Sequence, residues 1–308
     1  MCRFTHASIV RPVIDIPDEL AATQEKFNGE AGRDFITRLP ERAADFLQRW
    51  SLRLDGPSMY GMCALVLPVV RADGSRAALK LQYLDEETAG EPTALRTWAG
   101  DGAVRLLEYD DETGTLLLER LDASRMLTHE PDSRAAVLVI AGLLARLTAV
   151  PAPPRLRRRL GDITTAMLEQ VPEALARIPD PTDRRLIEDC AAAVREVAAD
   201  PGDRLLHWDL HYDNVLAADR EPWLAIDPKP LAGDPGFELF PALDNRFEPD
   251  EILWRFEAMT EVLGLDRARA RAWTLGRVLQ NSLWEITDGR PLVPDHLEIG
   301  RRLRGQVY

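Results

Sequence analysis

Three polar residues stand at a spacing that could do chemistry: Asp209, Asn214 five positions on, and Asp227 thirteen positions after that. Between the last two, residues 215–218 are apolar, 219–222 have turn chemistry and 223–226 are apolar again, the pattern of a strand, a turn and a strand. A hairpin of that length returns Asp227 to the side of Asn214. One amide oxygen and one carboxylate converging on a point make a hard-oxygen site for Mg²⁺ that keeps room for phosphate and water. Asp209 would stand one short loop away, placed to accept a proton from a hydroxyl nucleophile.

Elements that could position such a site are legible on both sides. Residues 17–28 and 31–50 read as amphipathic helices, with Pro40 expected to break or kink the second. Short apolar strands follow at 51–55, 62–71 and 76–84, the last two joined by Asp73-Gly74, a strong hairpin signal. Residues 86–99 read as a helix, then 104–110 and 115–121 as two more strands joined by the turn 111–114. The expectation is a five-stranded antiparallel sheet with one helix inserted after the third strand. From residue 132 onward apolar residues recur at helical spacing, over 133–150, 156–170, 183–199, 250–263 and 266–286. The one strong β signal in that half is the hairpin around Asn214 and Asp227.

The motifs resemble those of kinases. His207-x-Asp209-x-x-x-x-Asn214 matches H-x-D-x-x-x-x-N, and Ile226-Asp227-Pro228-Lys229 stands where protein kinases carry D-F-G. The Asp-Pro-Lys form, followed by Gly233-Asp234-Pro235, is similar to the aminoglycoside phosphotransferases, and within them to the streptomycin 6-kinase and hydroxyurea phosphotransferase branch. The resemblance runs from about residue 50 to 285. It implies an α+β, protein-kinase-like fold of two lobes: a small antiparallel-sheet lobe with its preceding helices over 1–121, which binds nucleotide, and a larger, mainly helical catalytic and substrate-binding lobe over 122–308.

The same resemblance implies roles. Asp209 is the catalytic base, and Asn214 and Asp227 hold Mg²⁺. Lys80 sits mid-strand between apolar neighbours, where a lysine is awkward unless its charge meets a partner. The resemblance sets it on the phosphates of ATP or GTP, paired with Glu91; a solvated edge-strand lysine is the plainer alternative. Glu91 precedes Pro92 and so belongs near a helix start, unlike the usual mid-helix glutamate. Ser58, in the loop Gly56-Pro57-Ser58-Met59-Tyr60-Gly61, marks the expected phosphate loop, although those six residues also describe an ordinary hairpin loop. Glu119 and Leu121 fall at the hinge that would read the adenine edge. His211 and Glu238 are candidate acceptor contacts, with Trp284 and Glu285 behind them. Asp234 before Pro235 reads mainly as a cap.

Composition narrows the class. With 38 Lys plus Arg against 51 Asp plus Glu, the net charge of −13 argues against a nucleic-acid surface and is compatible with a cationic acceptor. Cys2, Cys63 and Cys190 have neither disulfide nor metal-ligand spacing, residues 1–16 lack the apolar run of a signal peptide, and no stretch suggests a membrane span. The expected location is the cytoplasm. The expected reaction is γ-phosphoryl transfer to a hydroxyl of a small molecule, streptomycin first, with hydroxyurea or another hydroxylated metabolite as the alternative. A nucleotide-binding pseudokinase is a further alternative that the intact Asp209, Asn214 and Asp227 set argues against. Oligomeric state is not encoded in any pattern found.

Overall fold

A computed structural model describes residues 14–305, so Cys2 and most of the opening 1–16 segment lie outside the described residues. The chain forms two compact units, one comprising residues up to Asp85 together with Leu106–Arg120, the other Glu86–Arg105 with Leu121 onward.

In the first unit, α1 (Asp18–Arg49) precedes an antiparallel sheet. The strands are β1 (Arg53–Leu54), β2 (Met59–Tyr60), β3 (Ala64–Val70), β4 (Arg76–Gln82), β5 (Leu106–Asp110) and β6 (Thr115–Glu119). The order is β1-β3-β4-β6-β5, with the short β2 also on β3. Five strands in that path match the expectation, and β2 is an extra piece inside the loop after β1. The break in α1 falls at Gly29 (φ 55°, ψ −128°), not at Pro40. Glycine reaches that conformation without the Cβ penalty. Pro40 costs one helical hydrogen bond, but around it Phe35, Leu39, Ala43 and Phe46 are buried with Leu65, Leu67, Leu79 and Leu81 of the sheet. Each of the leucine and phenylalanine side chains stabilises by about 2 kcal/mol, enough to hold the helix on course.

The second unit begins with α2 (Glu91–Trp98). By its contacts α2 groups with the second unit. Trp98 Nε1 donates to Leu147 O at 2.9 Å and the indole stacks on the His207 ring at 6.1 Å. The remaining strands are β7 (Asp122–Met126), β8 (Arg204–Leu206), β9 (Val215–Ala217), β10 (Leu224–Ala225) and β11 (Leu231–Gly233). They form a β10-β9-β7 sheet and a β11-β8 pair. The helices are α3 (Ser133–Leu147), α4 (Leu160–Arg177), α5 (Pro181–Val197), α6 (Phe240–Asp244), α7 (Ile252–Leu263), α8 (Arg267–Thr287) and α9 (Pro294–Arg304). Carboxylate caps start three of them: Asp132, Asp180 and Asp266 each accept first-turn backbone N–H groups. Both α6 and α9 lie outside the five helices read from periodicity. No helix among the described residues is long and apolar enough to cross a membrane.

Candidate active site

The hairpin does what its length implied. Leu216 faces Leu224 and Val215 faces Ala225. Ile226 N then donates to Asn214 O at 2.9 Å, which sets Asp227 one residue past Asn214's partner. Upstream, β8 delivers His207 and Asp209 into the same region, and a short 3₁₀ turn (Tyr212–Asn214) closes the loop.

His207 is fully buried, and burial pushes its imidazole pKa down to about 3. It is therefore neutral. Its Nε2 lies 3.0 Å from Ile226 O, where it can only donate. The other nitrogen, Nδ1, then accepts a long 3.4 Å bond from the Asp209 N–H. This histidine ties the loop to the hairpin and does not titrate.

Asp209 keeps about a third of its side chain open, at 37 %. Partial burial pushes its pKa up, while His211, Lys229 and Arg277 pull it down. The net direction is up, and a raised, partly open carboxylate held by its own backbone suits a proton acceptor. Asn214 Nδ2 donates to Asp209 O at 2.9 Å, which fixes the amide so that its oxygen is the end offered to a cation. His211 Nε2 lies 3.1 Å from the same Nδ2 and 3.9 Å from Asp209 Oδ2, so this expected acceptor contact braces the loop from inside.

Asp227 has φ 56°, a left-handed backbone that a non-glycine residue adopts only when its surroundings impose it. Its Oδ2 accepts from Lys229 Nζ at 2.8 Å. Burial opposes the Lys229 charge, but Asp227 and Glu91 outweigh it and raise the pKa. Among the described residues no group of three or more His, Cys, Asp or Glu is arranged to hold a metal ion by itself. The donor set of Asn214 and Asp227, two hard oxygens, nonetheless fits a Mg²⁺ that takes its remaining ligands from phosphate and water.

Glu238, expected as an acceptor contact, is instead buried at 0 % exposure. Its Oε1 accepts the Trp208 N–H at 2.7 Å. Burial lifts the carboxyl to about 7, against the pull of the Trp208 amide and Arg277. Trp208 itself has φ 75°, and two guanidinium groups lie over its ring, Arg277 at 4.4 Å and Arg158 at 4.6 Å from the centroid. Arg158 also donates to Lys229 O at 2.7 Å and to Glu87 at 3.2 Å. Neither arginine has a local motif; only the tertiary fold brings them to the loop. Asp234 caps as expected, its Oδ1 accepting from Gly236 N at 2.7 Å, and its Oδ2 also takes Arg269.

Beside Trp208 opens a cavity of about 290 Å³. Glu86, Glu87, Asp162, Met167 and Trp284 are among its walls. Glu285 turns instead to Arg290, at 2.6 Å.

The nucleotide candidates are placed as follows. In the first unit, Lys80 lies on β4, only 5 % exposed, opposite Val66 and Leu116. Ser58 Oγ donates to Asp15 O at 2.7 Å. Glu119 ends β6 opposite Ala77. In the second unit, Glu91 is fully buried at the first position of α2, the helix start its proline implied, and Leu121 directly precedes β7.

The family model described as aminoglycoside/hydroxyurea antibiotic resistance kinase matches residues 49–289. A hydroxyurea phosphotransferase of Kitasatospora aureofaciens is 64 % identical over 93 % of this chain and 84 % of its own. A streptomycin 6-kinase of Streptomyces glaucescens is 56 % identical over 95 % of this chain and 98 % of its own. Among solved structures, a choline/ethanolamine kinase family protein from Mesorhizobium loti superposes with a TM-score of 0.62 at 16 % identity, covering 87 % of this chain and 95 % of that one; at that identity the likeness concerns the fold. The α+β, protein-kinase-like fold, the His207-to-Asp227 constellation and these matches agree: the chain belongs to the aminoglycoside/hydroxyurea antibiotic resistance kinases.

Proposed function

We propose that this protein transfers the γ-phosphoryl group of ATP or GTP to a hydroxyl of streptomycin. The observation that carries the reading is the cavity whose wall includes Trp208, the residue before Asp209. Its volume lies near the lower end of the range for drug-sized ligands, which suits one ring system of a multi-ring acceptor better than a molecule of a few heavy atoms. Three carboxylates, Glu86, Glu87 and Asp162, line it and can meet guanidinium groups. Arg157, Arg158 and Arg159 line the same wall and Arg158 balances Glu87, so a cationic acceptor competes with these arginines for the carboxylates.

In this reading Asp209 orients the acceptor hydroxyl and takes its proton. Asn214 and Asp227 would hold Mg²⁺, which supplies charge neutralisation at the phosphate oxygens. Lys80, in a nucleotide lobe spanning 1–121, meets the phosphates and pairs with Glu91. The backbone at Glu119 and Leu121 meets the adenine edge. Positioning and electrostatics provide most of the rate, as in phosphoryl transfer generally. The enzyme works in the cytoplasm on a cationic small molecule.

Hydroxyurea is the second reading, favoured by the 64 % identity to a hydroxyurea phosphotransferase. The test is nucleotide consumption with Mg²⁺, ATP or GTP, and a panel of streptomycin, other aminoglycosides and hydroxyurea, with mass spectrometry of each acceptor for an added phosphate. Streptomycin phosphate, absent with Asp209→Ala, is the expected result. Phosphate on hydroxyurea alone would move the assignment to the second reading. Nucleotide binding without turnover on any acceptor would refute both.

A further inference from the structure

We infer that residues 14–28 form a strap that holds loop 56–63 in the shape that nucleotide phosphates require, with Gln24 as its positioning residue. The inference rests on the reading of that loop as the phosphate loop.

The strap catches the loop at two points. Ser58 Oγ donates to Asp15 O at 2.7 Å, and Gln24 Nε2 donates to Met62 O at 2.9 Å. The two contacts flank β2 and Gly61. Gln24 has no exposed surface, and its own amide oxygen is fixed by Asn28 Nδ2 at 3.0 Å. A buried amide satisfied at both ends is a specific device, because losing either partner leaves a polar atom unpaired.

The chain is also shaped to bring the strap there. Gly29, at φ 55°, turns the first part of α1 back on the second. Gly32 lies so close beneath the strap that a Cβ would stand 2.1 Å from Gln24 O. Leu20 is buried in the sheet core, with Ile14 and Ile16 packed against it. The family match begins only at residue 49, so the strap is built from chain outside it.

The loop has need of such support. Tyr60 and Met62 are 49 % and 67 % exposed, so few apolar contacts of their own order them. Phosphates are held by loop backbone N–H groups, and a loop ordered in advance loses less entropy when they bind. Gln24 thus acts through the loop and not on the nucleotide itself.

The experiment compares the full-length wild type with Gln24→Met, which keeps the length and apolar stem but loses the donor, and with Asn28→Ala, which removes the group that fixes the Gln24 amide oxygen at a half-buried position. Nucleotide KM, acceptor KM, kcat and a direct nucleotide dissociation constant are measured for each. The expected result is a nucleotide KM and dissociation constant about five-fold higher, the effect of one lost neutral hydrogen bond, with acceptor KM and kcat within two-fold of wild type. A purely structural role would lower thermal stability without this split between substrates. Unchanged nucleotide affinity in both variants, with an active wild type, would overturn the strap alone. A wild type that binds no nucleotide would overturn the loop's reading and the strap's function together. If Gln24→Met fails to fold, Asn28→Ala decides.

Discussion

Replacing Glu238 by glutamine tests the electrostatics beneath the catalytic loop. The carboxyl is fully buried, and burial raises its pKa from an ordinary 4.5 to about 7. A carboxyl raised in this way favours folding most when protonated. Its contribution is complete below pH 4.5, declines as pH rises through 7 and is gone above that. With about 1.4 kcal/mol per pH unit, the wild type loses roughly 0.8 kcal/mol by pH 5 and roughly 3.3 kcal/mol by pH 8 on this account. Glutamine keeps the oxygen that accepts the Trp208 N–H and cannot ionise. The stability difference, variant minus wild type, should therefore climb by about 2.5 kcal/mol between pH 5 and pH 8. Urea unfolding of both proteins at four pH values in that window measures it. A difference that stays flat or falls would refute the reasoning, and would mean that the nearby Arg277 holds the carboxylate ionised throughout.

Asp209→Ala should abolish turnover, a loss of at least about 100-fold, while leaving nucleotide affinity within two-fold; Asp227→Ala should weaken binding of the Mg²⁺-nucleotide complex, and calorimetry on both variants separates the roles. Asp162→Asn should raise the KM for streptomycin about three-fold, as expected for one exposed charge contact, and leave that for hydroxyurea unchanged in parallel steady-state assays.

Much of the site was legible because it is local. Asn214 and Asp227 are joined by a hairpin whose length and turn residues fix the outcome, and the β10–β9 register bears this out. The extra rigidity of Pro40 was over-read, since local propensity yields to the apolar face packed on the sheet. What was not legible is long-range. Arg158 reaches Lys229 O across 71 positions, and Arg277 reaches the Trp208 ring from α8. Neither has a spacing that marks it. Glu238 was read as facing an acceptor because an acidic residue after the metal loop suits a cation. Its fate is decided by burial under the Trp208 amide, a tertiary fact. Helix α9 was missed; its window contains three arginines and little apolar content, and only the buried Leu297, Ile299 and Leu303 reveal its inner face.

The ion pair between Lys229 and Asp227 makes the site an ion exchanger with a tethered counter-ion. Lys229 Nζ already sits 2.8 Å from the Asp227 carboxylate, and Glu91 strengthens its charge. A divalent cation arriving alone would have to share that carboxylate with an ammonium that cannot diffuse away. Triphosphate oxygens bring the negative charge that relieves the crowding. Under the proposed reading of Asp227 as a metal ligand, the pocket recognises a metal already complexed by nucleotide, and in titration calorimetry free Mg²⁺ should bind far more weakly than the same ion presented on ATP.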